Sequence, residues 1–240
     1  MTVKITFSYD GSRFNGSQTQ PQKDTVQDIF EETLRRLQIN NKLILSGRTD
    51  KDVHASGQVA SLELPAFWTD LKKLKESLLK QLPNSICIKS IKPISDDFHA
   101  RFSAKNRYYR YIISTVPTTP FNSNYTYYHS NINKAKINEA IKLLVGIHDF
   151  EYFSKKGSEP KSTTREIFDI KFYKYRDCYI FKFKANSYLR SQIRMMVSFL
   201  LKISDGKLTL KDLENQLKKK ELVSWTLAPA NGLYLSKITY

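Results

Sequence analysis

Ser46-Gly47-Arg48-Thr49-Asp50-Lys51-Asp52-Val53-His54-Ala55 is the stretch on which the reading of this chain turns. It sets a glycine, a guanidinium and a carboxylate between two apolar runs, Leu43-Ile44-Leu45 before it and Val59-Ala60-Ser61-Leu62 after it. Short apolar runs flanked in this way read as strands. A charged loop held between two strands presents its side chains to a ligand from a rigid base. The plain alternative is a surface turn carrying an Arg–Asp pair, and the remainder of the chain decides between the two.

Working outward, the same pattern of elements occurs twice. Val3, Ile5, Phe7 and Tyr9 alternate along a strand, and Thr25 caps a helix with Asp28 three residues on and Val26, Ile29, Phe30, Leu34 and Leu37 as its apolar stripe. The strands around the opening loop follow. A helix with Leu71, Leu74 and Leu78 on one face comes next, and then a strand over Ser85 to Ile91. The second half offers a strand at Arg107 to Ile113, a helix at Lys134 to Leu144, and strands at Ile167 to Tyr173 and Tyr179 to Lys184. It continues with a long helix from Tyr188 to Ile203, a short helix capped by Thr209, and a last strand from Leu233 to Tyr240. Two split strand–helix–strand units predict an α+β protein of two α/β subdomains, residues 1–104 and 105–240. Each is expected to be ferredoxin- or RRM-like, with mixed, largely antiparallel sheets joined around a basic central cleft.

The 240 residues suffice for a sizeable core, and 40% hydrophobic residues mark a folded chain. Its 39 Lys and Arg against 23 Asp and Glu give a net charge of +16, spread along the chain, a field that attracts polyanions and RNA before others. No apolar run reaches the length of a membrane span, and Thr2 to Phe7 alternates like a strand where a signal peptide would stand. Cys87 and Cys178 are read as two buried thiols, and His54, His99, His129 and His148 have no metal-ligand spacing. The expectation is a cytoplasmic protein with no cofactor, no metal and no membrane partner.

Several further segments carry polar chemistry in order. Tyr9-Asp10-Gly11-Ser12-Arg13-Phe14-Asn15-Gly16-Ser17-Gln18 closes the first strand. Phe98-His99-Ala100-Arg101-Phe102-Ser103-Ala104 leads into Arg107-Tyr108-Tyr109-Arg110-Tyr111, where arginine and tyrosine interleave as in strands that stack bases and hold phosphates. Leu143 to Phe150 and Thr164-Arg165-Glu166-Ile167 follow, then the amphipathic Asn186-Ser187-Tyr188-Leu189-Arg190-Ser191-Gln192-Ile193-Arg194 and the closing Ala228-Pro229-Ala230-Asn231-Gly232-Leu233. In order and spacing these resemble the TruA family of pseudouridine synthases, with its GRTD-x-G-VHA, YDG-x-x-F/Y-x-G-W-Q, FHARFSA-x-x-R-x-Y-x-Y, LxGxHDFxxF, TxRxI, A-N-x-F-L-x-x-M-V-R and A-P-x-x-G-L-x-L elements.

That resemblance implies the pseudouridine synthase fold and the isomerisation of uridine at positions 38, 39 and 40 of the tRNA anticodon arm. It also implies a homodimer in which one tRNA touches both subunits. It aligns Asp50 with the catalytic aspartate, Arg194 with an active-site arginine and Tyr109 with the tyrosine that stacks on the target base, Tyr111 being the same-face alternative. Arg48 is expected to hold phosphate or to fill the space of the flipped base, with Arg101 and Arg107 as further substrate contacts. Attack on the sugar C1′, attack on the base and removal of a proton all stay open to Asp50 at this point.

Departures from the family pattern carry their own expectations. Ser17 replaces a tryptophan, and neighbouring aromatics are expected to compensate. Gln192 and Ile193 replace Met-Val, and Ser198 stands where a helix-packing glycine is common. Asp52 replaces a glycine, which adds negative charge near Asp50 at a turn that favours φ > 0, so it is expected to point to solvent or to a lysine such as Lys51. Two other classes compete with the enzyme: a catalytically silent RNA-binding protein or chaperone of the same fold, for which Asp52 speaks, and a scaffold for ribosome assembly.

Overall fold

The computed structural model describes residues 1–157 and 160–240. In chain order the elements are β1 (Thr2–Tyr9), α1 (Val26–Arg36), β2 (Ile44–Leu45), β3 (His54–Glu63), α2 (Leu71–Gln81) and β4 (Ile86–Pro93). Then come β5 (Asn106–Ser114), β6 (Tyr127–Tyr128), α3 (Lys134–Leu144), β7 (Gly146–Asp149), β8 (Thr164–Tyr175), β9 (Cys178–Ala185), α4 (Gln192–Ser204), α5 (Leu210–Leu217) and β10 (Leu233–Thr239). Among the described residues no helix is long and apolar enough to cross a membrane.

The chain forms two compact units, Met1–Lys105 with Tyr234–Tyr240, and Asn106–Leu233. In the first, β1 lies antiparallel between β3 and β4. The far edge of the long β3 is shared by two partners. The short β2 pairs with Ala60 and Ser61, and β10 runs parallel to the His54–Ala55 end. Val3, Ile5, Phe7 and Tyr9 are all buried, as the period-2 pattern predicts. Thr25 and Asp28 form the reciprocal capping box that starts α1, and Val26, Phe30 and Leu34 bury its inner face.

The last strand was expected within 105–240, yet it pairs with β3. Gly57 makes this approach possible, because a Cβ built there would stand 2.3 Å from the Ser236 carbonyl oxygen. The Tyr234 ring stacks on His54 at 4.7 Å, and the Tyr240 hydroxyl donates to the Ala100 carbonyl.

In the second unit the sheet order is β5-β9-β8-β7, antiparallel throughout, with β6 parallel to β5. Tyr111, Phe172, Phe181 and Phe183 form its inner face, and Ile137, Phe150, Phe153, Phe199 and Leu200 complete the core. Three elements differ from the pattern reading, the first being the two-residue strand Tyr127–Tyr128, too short for any periodicity. Gly146–Asp149 adds a strand where the sequence offers too few residues for periodicity to register. The long helix begins at Gln192, not Tyr188, because Ser191 is left-handed at φ 58° and Gln192 Oε1 accepts the Leu189 N–H at 2.7 Å. Cys87 also departs from expectation. It is exposed on the outward face of β4 between the buried Ile86 and Ile88, and Cys178 is half-buried.

Candidate active site

The first group of candidate residues is the loop between β2 and β3. Its residues alternate in exposure: Ser46, Gly47 and Thr49 are buried, Arg48 is exposed and Asp50 half-buried. The alternation has a visible cause. Gln58, on β3, brackets Gly47, accepting its N–H at 3.2 Å and donating to its carbonyl at 2.7 Å. Thr49 donates its N–H to Ser17 Oγ at 2.8 Å, its carbonyl accepts the Ser17 N–H at 3.1 Å, and its hydroxyl meets the Tyr9 hydroxyl at 2.7 Å. With the intervening residues held inward, Arg48 and Asp50 are the ones left on the outer side.

Burial pushes the Tyr9 phenol up to about 12, with its hydrogen bonds to Thr49, Gln58 and Ser17 pulling the other way. It is therefore a neutral hydroxyl at physiological pH. Burial, and then the neighbouring Arg101 guanidinium, lower the Arg48 pKa. Two of the expected substrate contacts are thus close enough to feel each other, and two adjacent guanidiniums suit a phosphate. Arg101 also lies over the exposed Phe102 ring, 5.5 Å from its centroid.

At the loop's far end Asp52 adopts φ 63°, the left-handed backbone foreseen for a glycine position. It is half-buried and, among the described residues, enters no ion pair, so the pairing with Lys51 is not made. The compensation for Ser17 also differs from expectation. Ser17 is fully buried, and the missing indole is answered by hydrogen bonds to Thr49 rather than by ring stacking.

The second group lies in the other unit. Tyr109, on β5, is buried with its ring edge-on to Tyr188 at 5.3 Å. The turn at 186–191 that delays α4 is what sets Tyr188 there. Its own hydroxyl is buried without a hydrogen-bond partner, and burial followed by the proximity of Tyr109 raises its pKa well above the usual phenol value. Tyr111 is wholly buried and donates its hydroxyl to the Pro229 carbonyl at 2.8 Å, so it ties β5 to the closing segment and leaves no open ring face for a base. Arg194, on α4, donates Nε to the Ala228 carbonyl at 2.7 Å, and Ala228 N–H returns a bond to the Arg194 carbonyl. The closing Ala228-Pro229-Ala230 segment thereby orients the guanidinium.

Arg107 donates to the Asn186 carbonyl at 2.9 Å. Beside it stands Arg165, whose pKa is lowered by burial first and by Arg107 second. This repeats the Arg48–Arg101 arrangement. Sequence reasoning treated Arg165 as architecture, and it gave Tyr9, Ser17 and Gln58 no part in the site. The one available signal was Gln58 itself, a polar residue inside a run of inward strand positions.

The family described as tRNA pseudouridine synthase matches residues 5–103 and 140–240 of this chain. The chain belongs to that family. Its relatives include proteins named tRNA pseudouridine synthase A. That of Campylobacter jejuni subsp. doylei is 45% identical over 240 residues, the full length of both chains. That of Wolinella succinogenes is 40% identical over 239 residues, covering 100% of this chain and 94% of the relative. The protein of Streptococcus agalactiae serotype Ia is 40% identical over 245 residues, with 99% and 94% covered. Among solved structures, a chain of a Cbf5-Nop10-Gar1 complex covers 84% of this chain and 44% of its own, at 14% identity and a TM-score of 0.39.

Within this synthase family, Asp52→Gly is expected to leave turnover within about twofold of wild type. An L-residue in the left-handed region costs ~1 kcal/mol, and Asp less than most. Glycine's larger unfolded-state entropy offsets part of any gain, so Tm should move by less than about 4 °C. Steady-state kinetics and a thermal melt check both. A large rise in kcat would show that the Asp52 charge opposes Asp50.

Proposed function

We propose that this chain isomerises uridine to pseudouridine in tRNA, at positions 38, 39 and 40 of the anticodon arm. The observation that carries the reading is the loop geometry: Gly47 and Thr49 are held inward, and Arg48 and Asp50 are left toward the outside. Family membership supports the reaction, and the net charge of +16 supports a polyanionic substrate.

The reaction breaks the N1–C1′ bond, turns the uracil and forms a C5–C1′ bond. The C5 hydrogen leaves as a proton and N1 gains one, so atoms and electrons balance without oxidant or co-substrate. The base must first leave its stack, at a cost of a few kcal/mol that phosphate contacts offset. Asp50 serves as the carboxylate of the reaction, as nucleophile or base. The family resemblance supports Arg194 as an active-site arginine of the same reaction and Tyr109 as the ring that stacks on the uracil and excludes water from the cleaved intermediate. Arg48 with Arg101, and Arg107 with Arg165, hold the RNA backbone.

The test is release of tritium from C5-tritiated uridine in unmodified tRNA. Release that disappears when positions 38 to 40 carry cytidine supports the site choice. Persistent release from such tRNA, or none from any tRNA, overturns it. The family resemblance further supports a cytoplasmic homodimer. Sedimentation velocity is expected to give a dimer of the 28.0 kDa chain, and a monomer with full activity would count against it.

A further inference from the structure

Beneath the loop that presents Arg48 and Asp50 lie three buried polar side chains from three separate segments: Tyr9 from the end of β1, Ser17 from the turn that follows, and Gln58 from β3. Their exposures are 5%, 0% and 0%. A buried hydroxyl or amide is costly unless bonded, and here the bonds converge on one target. Gln58 takes both backbone groups of Gly47, Ser17 takes both backbone groups of Thr49, and Tyr9 takes the Thr49 hydroxyl. None of these five bonds is made to a side chain of Arg48 or Asp50. They fix the residues on either side of Arg48, the second of which directly precedes Asp50.

We propose that Tyr9, Ser17 and Gln58 are positioning residues that set where Asp50 presents its carboxylate to the target nucleotide. The inference rests on reading Asp50 as the catalytic carboxylate. Its physical basis is the steep dependence of reaction rate on geometry. Reacting groups must be held to about 0.5 Å, and a displacement of 1 Å costs about 10²-fold. A loop with two turn residues in its sequence does not hold such tolerance by itself. The two bonds between Ser17 and the Thr49 backbone hold the peptide units on both sides of Thr49, and the bracket from Gln58 holds those on both sides of Gly47. Such a network rigidifies only when every member is satisfied, so a single deletion loosens the whole.

The test compares wild type with Ser17→Ala, Ser17→Thr and Tyr9→Phe, using tRNA in the tritium-release assay, tRNA affinity and thermal melting. Ser17→Ala is expected to lower kcat about 10- to 100-fold while KM and tRNA affinity stay within about twofold. Ser17→Thr, which keeps the hydroxyl, should recover most of that loss. Tyr9→Phe keeps the ring and removes only the hydroxyl, so it decides the matter if Ser17→Ala fails to fold, and its kcat should fall about 10-fold. A merely structural role would lower Tm without this split between kcat and KM.

Wild-type kcat in both Ser17→Ala and Tyr9→Phe, or a loss confined to KM, overturns the positioning role. Asp50→Asn is the control that separates the two claims. If it is inactive while the clamp variants turn over normally, only the positioning inference fails. If it turns over normally, the reading of Asp50 fails and the inference with it.

Discussion

Asp50→Ala is expected to remove tritium release from C5-labelled tRNA, by about four orders of magnitude in kcat, or ~5.5 kcal/mol of transition-state stabilisation. The size follows from the kind of reaction. A carbon–nitrogen bond is broken and a carbon–carbon bond made at the same sugar carbon, and no other carboxylate in the loop is placed by the same bonds. Asp52 is only two residues away, but it is itself the left-handed residue of the turn, at φ 63°, and neither of its neighbours is held by Tyr9, Ser17 or Gln58. It should therefore not substitute for Asp50. Asp50 is half-buried and its backbone carbonyl, which accepts the Val53 N–H at 3.2 Å, survives the substitution. Folding and tRNA affinity should consequently stay near wild type, as circular dichroism and filter binding will report. Release at the wild-type rate would remove Asp50 from the chemistry. Absence of release from both proteins, with tRNA still bound, would mark a silent RNA-binding relative.

The sequence carried the strands and helices that repeat a period over seven or more residues. The alternation of Val3, Ile5, Phe7 and Tyr9, and the Thr25–Asp28 capping box, appear in the structure as read. What it did not carry was set by single contacts between distant residues. Nothing in Leu233 to Tyr240 tells that β10 belongs beside β3. That pairing needs Gly57 to lack a side chain opposite Ser236, a fact about two positions far apart in the chain. The start of α4 was misplaced for a similar reason. Tyr188 and Leu189 fit the apolar stripe, but a left-handed Ser191 and the Gln192 side chain hold the start of the helix back to Gln192.

The candidate residues Asp50, Arg48, Tyr109 and Arg194 came from motif order. The joint role of Tyr9, Ser17 and Gln58 was not legible, because Ser17 stood out only as a departure, Gln58 only as a polar residue among inward positions, and each one's partner lies far away in the chain. Tyr111 shows the converse. Alternation placed it on the same face as Tyr109, but the bond to Pro229 and full burial make it a core residue.

Gly11→Ala should produce the largest loss of stability of any conservative change near the site, about 4 kcal/mol. The turn that follows β1 passes directly against the point where the charged loop ends and β3 begins. A Cβ on residue 11 would stand 2.1 Å from the Val53 carbonyl oxygen, 2.4 Å from its carbon and 2.9 Å from the His54 nitrogen. All three are backbone atoms, so no side chain can swing aside. Either the turn or the first residues of β3 must move by about an ångström, and overpacking of this kind costs about 1–3 kcal/mol.

The same movement stretches the bond by which Gly11 N–H donates to His54 Nδ1 at 3.0 Å. His54 is 2% exposed, so a lost partner is not replaced by water, and that adds about 1–3 kcal/mol. For a protein of this size the sum corresponds to a fall in Tm of about 10 °C, which calorimetry will measure. The effect should reach catalysis as well, because Val53 and His54 close the loop that begins at Ser46. At a temperature where the variant remains folded, kcat is expected to fall more than tRNA affinity. A variant that melts within about 2 °C of wild type would mean that the turn and β3 can separate without disturbing either, and that the loop's far end is not anchored through Gly11.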